Sequence, residues 1–106
     1  MAYNPVRLYQ GQPGTTTTLL YTATGVVIVK QIILANTATA AKTVTVATGV
    51  AGAALADANT IVPTVSVPAN TVITLDVTIA LANTDVIRAL QETATSITVS
   101  IYGVTA

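Results

Sequence analysis

Ile73, Leu75, Val77 and Ile79 occupy every second position of a run whose other members are Val72, Thr74, Asp76 and Thr78. A period of two marks extended backbone with one face on a core, since successive side chains of a strand point to opposite sides. The same alternation sets Ile97, Val99 and Ile101 against Thr98, Ser100 and Tyr102, and interleaves Val44 and Val46 with Thr43, Thr45 and Thr48. Threonine is about a fifth of the chain, and with valine and isoleucine it fills the periodic segments, where β-branched side chains suit a pleated surface. These patterns predict seven or eight strands near 5–9, 17–24, 26–36, 42–50, 60–67, 70–79, 85–91 and 96–104, with 85–91 also compatible with a helix. Many short strands separated by turns imply an all-β fold: a single antiparallel β-sandwich of jelly-roll or immunoglobulin-like type.

Turn chemistry punctuates the pattern. Ala-Asn-Thr recurs at Ala35-Asn36-Thr37, Ala58-Asn59-Thr60, Ala69-Asn70-Thr71 and Ala82-Asn83-Thr84. Asparagine tolerates positive φ and hydrogen-bonds nearby backbone, so these are expected corners, and their irregular spacing argues against a solenoid. Pro68-Ala69-Asn70 is expected to close a hairpin, and Gly49 to Asn59, small and weakly patterned, is expected to be a surface loop. Val26 to Leu34 breaks the alternation, being apolar at both parities apart from Lys30 and Gln31. That pattern predicts a strand covered on both faces, its outer side shielded by a loop of the same chain or by a neighbouring copy. Lys30 and Gln31 would then discourage misregistered pairing.

A chain of 106 residues supports one core, and so one sandwich domain over 15–106 preceded by residues 1–14 as an arm or a short first strand. Charged residues are only 8% of the chain, four basic against four acidic, which leaves no clustered Lys and Arg for nucleic acid. Hydrophobic residues reach 52% and the mean hydropathy is +0.71, so part of the apolar surface is expected to be covered by another chain. No apolar run approaches the roughly 18 residues of a membrane helix. Four tyrosines without Trp or Phe cannot supply the aromatic girdles of a transmembrane barrel. No membrane partner is expected, and the start of the chain, which lacks a secretory apolar core, points to a cytoplasmic beginning.

Histidine and cysteine are both absent, which removes the usual general base, the thiolate nucleophile, disulfides and most transition-metal ligands. Ser66, Ser96 and Ser100 have no imidazole to activate them, and Lys30 and Lys42 stand alone. Asp57, Asp76, Asp85 and Glu92 are the candidate carboxylates for a glycosidase pair, and Asp57 with Asn59, or Asn83 with Asp85, the candidate calcium oxygens. None forms a dense acidic loop, so the expectation is a non-enzyme with no cofactor and no metal. The residues with most to offer are aromatic, basic or doubly placed apolar ones: Tyr3, Arg7 and Tyr9 near the start, and Val27, Val29 and Ile33 in the two-faced strand. They form the candidate interface, since aromatics and arginine anchor protein contacts; for the first three, membership of an ordinary first strand is the alternative.

The stretch from Thr17 to Thr37, with Leu20-Tyr21-Thr22, the Val-Val-Ile-Val-Lys run and the Asn36-Thr37 corner, resembles small bacteriophage virion proteins. Pro68-Ala69-Asn70-Thr71 before an alternating strand and Asn83-Thr84-Asp85-Val86-Ile87-Arg88-Ala89 are similar to the closing segments of those proteins. One departure is Ala23-Thr24-Gly25, where the family would have a proline-containing turn. The resemblance covers residues 15 to 104 and implies a non-enzymatic β-sandwich displayed on a virion after assembly in the host bacterial cytoplasm. Its expected partners are copies of itself, guessed to be a trimer, and the major capsid protein or other virion proteins. Two roles fit: a capsid decoration or cement protein, with residues 1–14 as a clamp, or a tail or fibre component whose loops, Gly49 to Asn59 and Asn83 to Glu92, adhere to a host.

Overall fold

The computed structural model describes residues 4–50, 60–93 and 95–105. The described residues form eight strands, β1 (Asn4–Gly11), β2 (Thr18–Thr22), β3 (Val27–Asn36), β4 (Lys42–Gly49), β5 (Thr60–Val67), β6 (Thr71–Leu81), β7 (Val86–Gln91) and β8 (Ile97–Thr105). The 85–91 segment, open to either reading in sequence, is a strand: Ile87, Ala89 and Gln91 are buried at alternate positions, with Arg88 and Leu90 half-buried between them.

Two antiparallel four-stranded sheets result, β1-β8-β3-β6 and β2-β7-β4-β5. The first half of the chain pairs with the second in reverse order, β1 with β8, β2 with β7, β3 with β6 and β4 with β5, as the two arms of one long hairpin would. Rolling that hairpin adds the β3–β8 and β4–β7 ladders and closes the two sheets. This is the jelly roll, and the order decides between the two sandwich types the sequence left open. It also corrects one local expectation: Pro68-Ala69-Asn70 does not close a hairpin but carries the chain from β5 in one sheet to β6 in the other. Asn70 turns the corner at φ 52°, a conformation asparagine adopts more readily than most residues.

β3 shows why Val26 to Leu34 reads as apolar on both faces. Val26 lies outside the strand and is 57% exposed. Within the strand, Val27 and Val29 point into the sandwich, the register shifts at Lys30 against both β6 and β8, and beyond the shift Ile32 and Leu34 point inward instead. An extra residue in a strand with a period of two moves the inward positions from odd to even. Two one-sided halves joined out of phase therefore mimic a two-sided strand. The outward residues Ile28, Ile33 and Ala35 are half-buried among the flanking strands, and the pattern needs no covering loop or neighbour to explain it.

The inward faces meet in one core that includes Leu20, Val27, Val29, Ile32, Leu34, Val44, Val46, Val62, Val67, Ile87, Val99 and Ile101, with Leu8, Tyr9 and the inward side of β6 packed on its rim. Opposite Val29, Gly103 faces the core so closely that a Cβ there would collide with the carbonyl of Ile28 on the neighbouring strand. At the far turn Gly25, at φ 73°, supplies the bend for which the resemblance implied a proline. Residues 4–11 run along β8 as an edge strand of the sheet, with Leu8 and Tyr9 turned to the core.

Leu34→Ala should cost about 2–5 kcal/mol by urea denaturation, the range for truncating a buried leucine, while Ile33→Ala, one residue away on the outer face, should cost clearly less. Gly103→Ala should destabilise by about 1–3 kcal/mol through overpacking, with the Ile28 carbonyl unable to retreat from its ladder.

Candidate functional site

The outer face of the β1-β8-β3-β6 sheet carries two of the residues that the sequence singles out, Arg7 and Ile33. Its register builds rows across four strands: Pro5, Val104, Ile28 and Ala80; Arg7, Tyr102, Gln31 and Asp76; Gln10, Ser100, Ile33 and Thr74. The middle row runs from a guanidinium on β1 to a carboxylate on β6, with a half-buried tyrosine between. Arg7 Nη1 donates to Gln10 Oε1 at 3.2 Å, Gln10 Nε2 donates to Ser100 Oγ at 3.4 Å, and Gln31 Nε2 donates to Asp76 Oδ1 at 3.3 Å. The polar groups thus brace one another laterally, leaving apolar Ile28, Ile33 and Val104 as the half-buried ground of the face.

The candidate interface residues separate on this geometry. Arg7 and Ile33 lie on the outer face, Arg7 exposed and Ile33 half-buried between Ser100 and Thr74. Val27 and Val29 do not: each is 0% exposed inside the sandwich, because they precede the register shift at Lys30 and so take the inward parity. Tyr9 also turns inward, half-buried against the core, since the irregularity between Arg7 and Tyr9 breaks the β1 alternation. Tyr3 lies outside the described residues.

The catalytic and metal candidates are dispersed. Asp85 and Glu92 flank the two ends of β7, roughly 20 Å apart along a strand of that length, well beyond the 5–9.5 Å of glycosidase carboxylate pairs. Asp85 Oδ2 accepts from Ala82 N at 3.0 Å, Glu92 Oε1 accepts from Thr43 N at 2.8 Å, and Asp76 accepts from Gln31. Asn83 Oδ1 accepts from Gly25 N at 3.0 Å, so the Asn83–Asp85 oxygens proposed for calcium are used in holding corners. Among the described residues no group of three or more Asp, Glu, His or Cys converges. Asp57, Asn59 and most of the Gly49 to Asn59 loop lie outside the described residues.

Two buried amides do work that the sequence reading missed. Gln91, 1% exposed, donates from Nε2 to Pro13 O at 2.8 Å and to Ile97 O at 3.0 Å, and accepts from Ile97 N at 2.7 Å. It pins the β1–β2 connection to the β7–β8 turn. Asn36, 3% exposed, donates from Nδ2 to Ala40 O and Val67 O, both at 2.9 Å, and to Pro68 O at 3.3 Å, while its Oδ1 accepts from Ala38 N at 2.8 Å. It ties the β3–β4 turn to the β5–β6 corner. The signal was available: Gln91 continues the inward series Ile87, Ala89, and Asn36 the inward series Ile32, Leu34, and a polar residue at a core position needs partners. The shallow groove beside Asn36, lined by Ala35, Thr37, Asn70, Thr71 and Val72, brings two of the Ala-Asn-Thr corners together. Both amide atoms of Asn36 are already engaged there by the chain's own backbone, so at this corner the motif serves architecture.

No family model, curated protein or solved structure matches the chain.

Gln91→Ala should lower stability by more than about 3 kcal/mol in a denaturant titration, because it leaves three buried backbone groups unpaired at about 1–3 kcal/mol each. Asn36→Asp should also destabilise despite its near-identical shape, since an ionised carboxylate has no hydrogen to donate to the three carbonyls around it.

Proposed function

We propose that the chain is a non-enzymatic structural subunit of a bacteriophage particle, a decoration or cement protein that packs on the outer shell of the capsid. The observation that carries this reading is the division of labour among polar groups. The described carboxylates and the two buried amides hold strands and corners together, while the broad outer face of one sheet presents Arg7, Tyr102 and Ile33 beside the paired Gln31 and Asp76, a composition suited to protein contact. The resemblance of residues 15 to 104 to small virion proteins adds the context. The jelly roll adds weight by analogy alone, since the same architecture serves capsids, lectins and cupins. On this reading the partners are the major capsid protein and further copies of the chain, placed on the virion after assembly in the host cytoplasm.

The anchoring residues are Arg7 and Ile33 rather than a free arm. Residues 4–11 are built into the sheet, so removing residues 1–12 would bare the β8 edge as well as any contact. Point substitutions isolate the contact instead. Purified protein mixed with expanded, genome-filled heads of its phage should appear as regular density on the shell by cryo-electron microscopy. Arg7→Ala and Ile33→Asp should each reduce retention on heads by at least about tenfold, equivalent to about 1.4 kcal/mol, with the fold retained. Bare heads, with the protein found at the tail or bound to host cells, would overturn decoration in favour of the adhesion role.

A further inference from the structure

We propose that the free edge of β6 is a self-association site, at which two copies join their β1-β8-β3-β6 sheets into one continuous eight-stranded sheet about a two-fold axis passing Val77. The inference goes beyond the virion reading and does not depend on it.

The four edge strands of the sandwich are not equally protected. β1 carries Pro5 and a register break at Leu8. β5 carries Pro63, two register breaks and Thr64 at φ 35°. β2 is five residues long and irregular at Leu20. Proline, bulges and shortness are the devices by which native edges avoid pairing with other chains. β6, at the end of its sheet, has eleven residues, no proline, a single charge at Asp76 and an inside-outside alternation from Val72 to Leu81. Its own register break, where Val77 and Thr78 oppose Lys30, lies against its interior neighbour as the breaks of β1, β2 and β5 do, so length and the absence of proline are what set β6 apart. Its inward side chains Ile73, Leu75, Val77 and Ile79 are only half-buried on the rim of the core, as they would be if a further strand belonged beside them.

Charge favours a second copy as the occupant and selects among the registers near the middle of the strand. Pairing β6 with a second β6 in antiparallel fashion, centred on Asp76, would set two carboxylates directly opposite, which is unfavourable. Centring on Thr78 would bring together the two Lys30 ammonium groups, since each Lys30 Nζ donates to Thr78 Oγ1 of its own chain at 3.5 Å. Centring on Val77 avoids both. Asp76 of each copy then faces Thr78 of the other and the Lys30 ammonium beside it, giving two symmetric opposite-charge contacts. On the inner side Leu75 meets Ile79, Ile73 meets Leu81 and Val77 meets itself, extending both cores across the junction. The contact is isologous and closed, so it yields a pair rather than a fibre, and a two-fold arrangement rather than the threefold cluster guessed from a virion role.

The absence of cysteine makes the test direct. Val77→Cys should oxidise to a disulfide-linked dimer, because residues directly opposite across an antiparallel pair have Cα atoms about 4.5–5.5 Å apart, within disulfide range. Leu75→Cys should not, its two copies being offset by four residues, about 13 Å along the strands. By sedimentation equilibrium the wild-type chain should be a reversible dimer. Asp76→Lys should weaken it by at least about tenfold, and adding Lys30→Asp should restore it. A wild-type chain that is monomeric throughout, cross-linking of Leu75→Cys as fast as Val77→Cys, or a charge exchange that fails to restore association would each overturn the proposal. None of these outcomes involves phage heads, so failure here leaves the decoration reading standing, and the reverse also holds.

Discussion

The ladder between β3 and β8 is the element on which the rest of the molecule hangs. β8 carries β1 on its other side and β3 carries β6, so one sheet is assembled around this central pair. Its register determines more than its own hydrogen bonds. The break at Lys30 sets which of the β3 side chains enter the core, and Gly103 lets the two backbones meet at Ile28 without a side chain between them. Across the sandwich the β4–β7 ladder plays the corresponding part, with Gln91 at its end opposite Val44. The buried amides then fasten the corners at the same end of the roll, where four connections would otherwise leave backbone groups without partners.

Much of this is legible in the sequence. The eight predicted strands lie within two residues of the observed ones at nearly every boundary, because each reported itself through a period of two or through a turn residue at its end. The fold class followed from the count. Local signals could not say which strand pairs with which, since in a jelly roll nearly every connection crosses between sheets and proximity in sequence gives no pairing. Pro68-Ala69-Asn70 showed this failure most clearly: proline and asparagine announce a reversal of direction equally well whether the next strand joins the same sheet or the opposite one.

The interface candidates divided for a related reason. Arg7 was found by residue chemistry and remains at the surface, whereas Val27, Val29 and Ile33 were chosen because apolar residues filled both parities, and of these only Ile33 lies on the outer face. A single extra residue at Lys30 produces that pattern without any second contact. Tyr9 was lost in the same way, through a bulge one position earlier in its strand. Gln91 and Asn36 show the complementary lesson. Each was a polar residue on the inward parity, visible in sequence as an exception, and the exceptions proved to be the fastenings.

The reversed pairing order has a kinetic consequence. Contacts between the first and last strands join residues separated by nearly the whole chain, and such closure must be achieved before it is rewarded, so the roll belongs with slow-folding, high-contact-order topologies. A ribosome delivers β3 some sixty residues ahead of β8, its partner along all of 27–36. During that interval the most apolar strand of the protein waits with one edge unfilled. Lys30 at its centre, which in the finished molecule marks a change of phase, is in the waiting chain a charge in the middle of an aggregation-prone run.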